Sequence, residues 1–313
     1  MRTFTDTTDI ENNHNTIVTI GTFDGIHLGH QKILNLVVQK SRKNKSRNFV
    51  ITFDPHPRTV VSNNYNIHLI TSLEEKIELL SEIGIENLLV INFNKEFSQT
   101  TYDRFIKEII YDKIGCSHII IGYDHKFGKN RDGNAEKLKS IGKNLDFDVT
   151  TVGPVTIKGD EISSTKIRKI LLNGEIDKAN EYLGRFYSIS GIVNRGAGRG
   201  REMGFPTANI NIENEFKLIP QRGVYIVKCR LEDSTFFGLL NIGLRPTFEN
   251  NDQLIVEVYI FDLNRDLYNQ KIKIEFLMRL RDEKKFGSKD ELINQIKADE
   301  KQALDLIKQL TNN

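Results

Sequence analysis

The sequence predicts two domains of different class. The first is α/β, a Rossmann-like parallel sheet; the second is a six-stranded antiparallel β-barrel followed by a terminal helix. Three observations predict this. Strand-like and helix-like stretches alternate through the first half. Six strand-like stretches then follow one another with no helix between them. The chain has 313 residues, ample for two hydrophobic cores. The texture changes near Gly184–Phe186, dividing the chain into 1–184 and 185–313.

In the first half, strands are expected at Ile17–Gly21, Phe49–Phe53, Leu88–Phe93, His118–Gly122 and Val149–Val152. Helices are expected near Gln31–Lys43, Leu73–Gly84, Tyr102–Ile114 and Ala135–Asn144. Ser72-Leu73-Glu74-Glu75 reads as a capping box that starts the second helix. Such alternation argues for a parallel sheet with helices on both faces. Ligands of these sheets bind beyond the carboxyl ends of the strands. Two helical patches follow, Ser164–Asn173 and Ile176–Leu183.

The second half carries strand patterns at Tyr187–Val193, Ala208–Ile212, Val224–Leu231, Phe236–Ile242, Ile255–Phe261 and Lys271–Met278. Consecutive strands separated by turn residues suggest a barrel or sandwich. The capping box Ser288-Lys289-Asp290-Glu291 opens a last helix, with Leu292, Ile296, Ala303, Ile307 and Leu310 as its apolar stripe.

Composition narrows the function classes. A net charge of +2 leaves no broad basic excess for gripping nucleic acid. No apolar run approaches the roughly 20 residues of a membrane helix, so no membrane partner is expected. Cys116 and Cys229 are the only cysteines and form no framework, which suits a reducing cytoplasm. Met1 to Asn15 is polar and acidic, unlike a signal peptide. Nothing in the pattern fixes the oligomeric state.

The stretch Gly21-Thr22-Phe23-Asp24-Gly25-Ile26-His27-Leu28-Gly29-His30 joins the first strand to the first helix. A glycine-bearing turn there presents backbone N–H groups and a positive helix end to an anion. His27 and His30 can point at one phosphate, with Gly29 between them leaving room for a nucleotide. Zinc would need further ligands at metal-site spacing, which the sequence lacks. A second phosphate element is Glu161-Ile162-Ser163-Ser164-Thr165-Lys166-Ile167-Arg168. Its three hydroxyls could equally be helix caps; Arg168, a turn further on, offers a planar fork to phosphate.

These two stretches resemble the signatures of nucleotidyltransferases that pass an adenylyl or cytidylyl group to a phosphate. The resemblance implies that His27 and His30 stabilise charge on the attacked phosphate. It implies that Gly21, Phe23, Asp24, Gly25, Gly29, Ser163, Ser164, Thr165 and Arg168 bind ATP. Thr52-Phe53-Asp54-Pro55-His56-Pro57-Arg58 and Gly122-Tyr123-Asp124-His125-Lys126-Phe127-Gly128 narrow it to bacterial enzymes that adenylylate flavin mononucleotide, with Asp124 at the nucleotide. That family usually has Glu at Asp54 and an aromatic at His125.

In the second half, Gly196 to Gly204 is a glycine-rich loop followed by Phe205-Pro206-Thr207-Ala208-Asn209. No Gly-Lys-Ser/Thr follows, so it is not a Walker A loop. Thr207 and Asn209, two apart in an extended chain, share a face and offer neutral oxygens that suit Mg²⁺. The stretch resembles the riboflavin kinase signature, as do Asn241 to Phe248, Val256-Glu257-Val258-Tyr259 and Leu280 to Phe286. The resemblance implies that Glu257 is the general base, that Gly198, Gly200, Arg201, Gly204, Thr207 and Asn209 bind ATP, and that Thr207 and Asn209 hold the metal. Taken from its pattern alone, Glu257 could be an outward-facing strand carboxylate. Phe186 and Asn269 depart from the family's Pro and Gly.

In this order the two motif sets resemble the bifunctional bacterial riboflavin kinase/FAD synthetase family. The expected partners are riboflavin, FMN and ATP, with Mg²⁺ beside ATP and FMN and FAD as products. Two other readings stand beside it: a nucleotidyltransferase of other specificity with an accessory barrel, and a barrel that binds flavin or RNA without catalysis.

Overall fold

A computed structural model of the protein describes residues 1–61, 67–195, 200, 203–246 and 252–311. The chain divides into two compact units, Met1–Ser164 and Thr165–Asn313. Both expected architectures are present.

The first unit is built on a six-stranded parallel sheet of order β1-β4-β3-β2-β5-β6. Its strands are β1 (Arg2–Phe4), β2 (Thr16–Ile20), β3 (Arg47–Asp54), β4 (Asn87–Asn92), β5 (His118–Gly122) and β6 (Asp148–Val152). Alternation along each strand feeds two cores, as a period of two requires. Val18, Ile20, Phe49 and Ile51 face Phe105, Ile106, Ile110 and Leu138 on one side. Ile17, Val50, Leu88 and Ile120 face Leu34, Val37 and Leu80 on the other. The covering helices of the second core are α1 (Leu28–Asn44) and α3 (Leu73–Ile83). α4 (Tyr102–Arg104) runs into a π-helical stretch, Phe105–Ile114, and α5 is Ala135–Leu145.

β2 is followed in the sheet by β3 and β4 on one side, while β5 and β6 lie on its other side. The strand order therefore reverses between β2 and β5, the position beyond whose carboxyl ends sheets of this class bind their ligands. The Ser72 capping box is present in both halves: Glu75 N donates to Ser72 Oγ at 3.2 Å and Ser72 N to Glu75 Oε2 at 3.0 Å.

Several short elements were not expected from sequence. β1 adds to the free edge of β4 in parallel, Arg2 opposite Asn87. At three residues it is too short to show a period. α2 (Pro57–Val61) and the two-residue strands β7 (Thr156–Ile157) and β8 (Asp160–Glu161) are likewise too short for a pattern.

α6 (Ser164–Leu172) starts at the last residue of the first unit, and α7 (Ile176–Leu183) lies in the second. The closed barrel has the order β10-β13-β12-β11-β14-β9. Its strands are β9 (Tyr187–Asn194), β10 (Thr207–Asn211), β11 (Gly223–Arg230), β12 (Thr235–Pro246), β13 (Asp252–Ile260) and β14 (Lys271–Arg281). All six pair antiparallel. α8 (Lys289–Thr311) lays Ala303 and Ile307 on an outer barrel face with Val224, Ile226, Leu239 and Leu277. Its stripe ends earlier than the sequence suggests, since Leu310 is 49% exposed. The expected box at its start is half made. Glu291 N donates to Ser288 Oγ, but the Glu291 carboxylate accepts from Gly287 N instead of Ser288 N.

Candidate functional sites

In the first unit, the Gly21–His30 turn occupies the carboxyl end of β2, at the reversal of strand order. Phe23 (φ 47°), Gly25 (φ 87°) and Ile26 (φ 36°) all have left-handed backbone. For β-branched Ile26 this is a strained conformation that persists only when its surroundings fix it. They do. Asp24, 2% exposed, takes N–H bonds from Ile70 (2.9 Å) and Thr71 (3.1 Å) on Oδ1. Gly25 N donates to Thr71 Oγ1 at 3.0 Å, and Gln31 Nε2 donates to the Ile26 carbonyl at 2.9 Å. The Asp24 carboxylate thus shapes the turn, a role its motif does not reveal.

His27 is the N-cap of α1, and its Nδ1 accepts from His30 N at 3.4 Å. That assigns the ring proton of the neutral imidazole to Nε2. The rings of His27 and His30 stack at 3.7 Å between centroids, 18° between planes, and Phe23 meets His30 edge-on at 5.3 Å. A Cβ on Gly29 would lie 3.1 Å from His27 Nδ1 and Cε1, so only glycine seats the ring there without displacement. The first turn of α1 carries no acidic residue. Two stacked imidazoles therefore stand at a helix N-terminus whose own first turn carries no acidic side chain.

Ser164 Oγ donates to the Asp24 carbonyl at 2.9 Å, a bond within the first unit. Ser163 precedes α6; Thr165 and Arg168 lie on it, in the second unit. Asp124 stands exposed past the end of β5. An aromatic cluster continues from the strand ends. Phe53 lies 5.7 Å from Phe93 and 6.4 Å from Phe105, Phe105 lies 6.5 Å from Phe127, and His125 stacks on Phe127 at 5.6 Å and 22°. His125 thus occupies an aromatic's position as an aromatic, and burial pushes its imidazole down to about 4.

In the barrel, Thr207 and Asn209 lie on β10, opposite Tyr259 and Glu257 of β13. Glu257 is also opposite Asn241 of β12. Asn209, Glu257 and Asn241 form one row across three strands, on the outer face that also carries Tyr259. The outward-facing reading of Glu257 is therefore right about direction, but this face is half-buried, and α8 is tied to it by Tyr259 Oη to Glu300 Oε1 at 3.0 Å. A Cβ on Gly200 would lie 3.1 Å from Thr207 Oγ1 and 2.3 Å from the Phe205 carbonyl, so glycine keeps the space at that hydroxyl clear. Gly204 has a φ of 83°. Gly198 and Arg201 lie outside the described residues. Asn241 joins this row through strand register; its mark in the sequence is a lone amide in the apolar run Phe236–Ile242.

Among the described residues no group of three or more His, Cys, Asp or Glu could hold a metal ion. No helix of the described residues is long and apolar enough to cross a membrane.

The model of the FAD synthetase family matches residues 9–166 and that of the riboflavin kinase family residues 183–307. A bifunctional riboflavin kinase/FMN adenylyltransferase from Listeria monocytogenes is 37% identical over 94% of this chain and 93% of its own. One from Buchnera aphidicola is 40% identical over 92% of both. The crystal structure of a macrolide-efflux protein from Streptococcus pneumoniae matches with a TM-score of 0.87 at 31% identity, over 96% of this chain and 97% of that one.

Proposed function

Because the chain belongs to the bifunctional riboflavin kinase/FMN adenylyltransferase family and makes FMN and FAD, we propose that residues 185–313 phosphorylate riboflavin and residues 1–184 adenylylate the FMN produced. The observation that carries the second assignment is the stacked His27–His30 pair at the reversal of strand order. The FMN phosphate is already a nucleophile and needs no strong base. It attacks the α-phosphorus of ATP, and pyrophosphate leaves. His27 and His30 then donate to oxygens that gain charge, from a turn fixed before the substrate arrives. Phe53, partly buried at the end of β3 and backed by the buried Phe105 and Phe127, offers an apolar face to the isoalloxazine.

In the barrel, Glu257 accepts the proton of the riboflavin 5′-hydroxyl while Asn209 and Asn241 flank it. Thr207 and Asn209 would hold Mg²⁺ with ATP. They are neutral oxygen donors on one strand face, and Gly200 leaves the Thr207 hydroxyl accessible, so the residues fit a hard cation. Held there, the ion would neutralise phosphate charge during transfer. Cys116 and Cys229 are buried free thiols, which supports a reducing, cytoplasmic setting. The partners are small molecules, riboflavin, FMN and ATP, and neither nucleic acid nor membrane is invoked.

The test is separation of the activities. His27→Ala or His30→Ala should lower FAD formation by about 10²–10³ while FMN accumulates from riboflavin, read by chromatography of the products. A folded variant that stops FMN formation instead would overturn the assignment.

A further inference from the structure

Lys76 is a buried cation that the reading above leaves without a task. It sits in the first turn of α3 and is 6% exposed. Its Nζ lies 3.3 Å from Thr52 Oγ1, and Thr52 Oγ1 lies 3.3 Å from the Thr22 carbonyl. An ammonium only donates, so Thr52 accepts from Lys76 and gives its single hydroxyl proton to Thr22. A one-directional relay therefore runs from a buried charge to the residue that opens the histidine turn. Burial weakens the hold of Lys76 on its proton, and the charges of Asp24 and Asp54 strengthen it. Asp24 is the carboxylate that shapes the same turn through Ile70 and Thr71. A buried ammonium is costly to desolvate, and an apolar side chain of similar length would fill the space at lower cost.

We propose that Lys76 is a positioning residue for adenylyl transfer: it anchors the Gly21–His30 turn through Thr52 and offsets the Asp24 charge beneath the place where a nucleoside triphosphate docks. The proposal rests on that turn being the adenylyl-transfer site. Without the cation, one positive charge that acts on Asp24 is lost and an incoming polyanion meets a more negative turn, and Thr22 would lose its charge-assisted anchor. Lys76 need not touch the substrate for either effect.

The test uses the full chain, with FAD formation measured at saturating FMN and varied ATP. Lys76→Met should raise KM for ATP about tenfold and leave FMN formation from riboflavin as in the wild type. Lys76→Arg should recover part of the affinity. Adding Asp24→Asn to Lys76→Met should also recover part of it, because the negative charge that Lys76 acts on is gone; a packing role would make the two losses accumulate. Thr52→Val breaks the relay while keeping the charge, and decides the matter should Lys76→Met fail to fold: it should raise KM in the same direction. His27→Ala serves as the control on the underlying reading. If His27→Ala abolishes FAD formation while Lys76→Met, or Thr52→Val in its stead, keeps the wild-type KM, the Lys76 proposal falls alone. If His27→Ala keeps FAD formation, the site itself is misassigned and the proposal falls with it.

Discussion

The hydroxyl of Ser164 donates to the carbonyl oxygen of Asp24 at 2.9 Å, joining segments 140 residues apart in sequence. Asp24 is held from three directions: its carboxylate by Ile70 and Thr71, its carbonyl by Ser164. Ser164→Ala removes one of these holds and leaves a part-buried carbonyl without that donor, at a cost of about 1 kcal/mol. FAD formation should fall about fivefold to tenfold, with FMN formation unchanged. Steady-state rates for both products, taken on one preparation, check this. Wild-type FAD formation would mean that the bond is incidental to the turn.

The proposed kinase face should separate binding from proton transfer. Glu257→Gln keeps the shape between Asn209 and Asn241 and should slow FMN formation by about 10²–10⁴, the range for a lost general base. ATP affinity, measured by calorimetry, should stay near wild type. Thr207→Ala and Asn209→Ala should weaken ATP binding as well as turnover. All three variants should still adenylylate supplied FMN. Normal turnover in Glu257→Gln would return that residue to the surface.

Truncation probes the boundary. α7 buries Ile176, Ala179, Tyr182 and Leu183. Asn180 donates to the Phe276 carbonyl at 2.9 Å and accepts from Tyr187 N at 2.7 Å, and Gln221 N donates to the Leu171 carbonyl at 3.1 Å. A fragment beginning at Gly184 loses all of this. Each large apolar side chain contributes about 1.5–3 kcal/mol, so that fragment should melt at least about 10 °C below one beginning at Ser164. Both should phosphorylate riboflavin. Equal melting temperatures would show that α6 and α7 add nothing to the barrel, and a folded but inactive pair would show that the kinase needs residues before 164.

His125 gives a pH test with a fixed sign. Its imidazole is pushed from an ordinary 6.5 to about 4, first by burial and then by Arg131, and its Nε2 is sealed with no hydrogen-bond partner. Below pH 6.5 the unfolded chain binds a proton that the folded chain refuses. Stability therefore falls as pH drops from about 6.5 towards 4, with a slope of at most about 1.4 kcal/mol per unit. Proton NMR should show the His125 ring neutral at pH 5.5. In urea unfolding between pH 7 and 5, His125→Phe should have the flatter profile. A ring that titrates near 6.5 would contradict the sealed environment.

Much of the site was legible because its chemistry is local. A strand, a glycine turn and a helix that begins at a histidine pair lie within about fifteen consecutive residues, and their order alone creates an anion-facing helix end. Thr207 and Asn209 share a face by strand period alone. Asp24 was legible only as a member of the motif. Its partners Ile70 and Thr71 come from a segment before α3, and no local pattern marks a backbone N–H as a carboxylate's ligand. Lys76 was invisible for a similar reason, since a lysine in a helix's first turn reads as surface until β3 is placed beside it.

The sequence by itself determined both fold classes, the change in texture near Gly184 and the residue types of both sites, because these follow from period, turn chemistry and short spacing. Tertiary structure decided what depends on pairing between distant segments. It set the strand order that reverses between β2 and β5, the β1 edge too short to carry a pattern, and the row Asn209–Glu257–Asn241 fixed by register across three strands. It also decided that the left-handed residues Phe23 and Ile26 could be tolerated. Their strain is a local cost, and the bonds that offset it reach the turn from Thr71, Gln31 and Ser164.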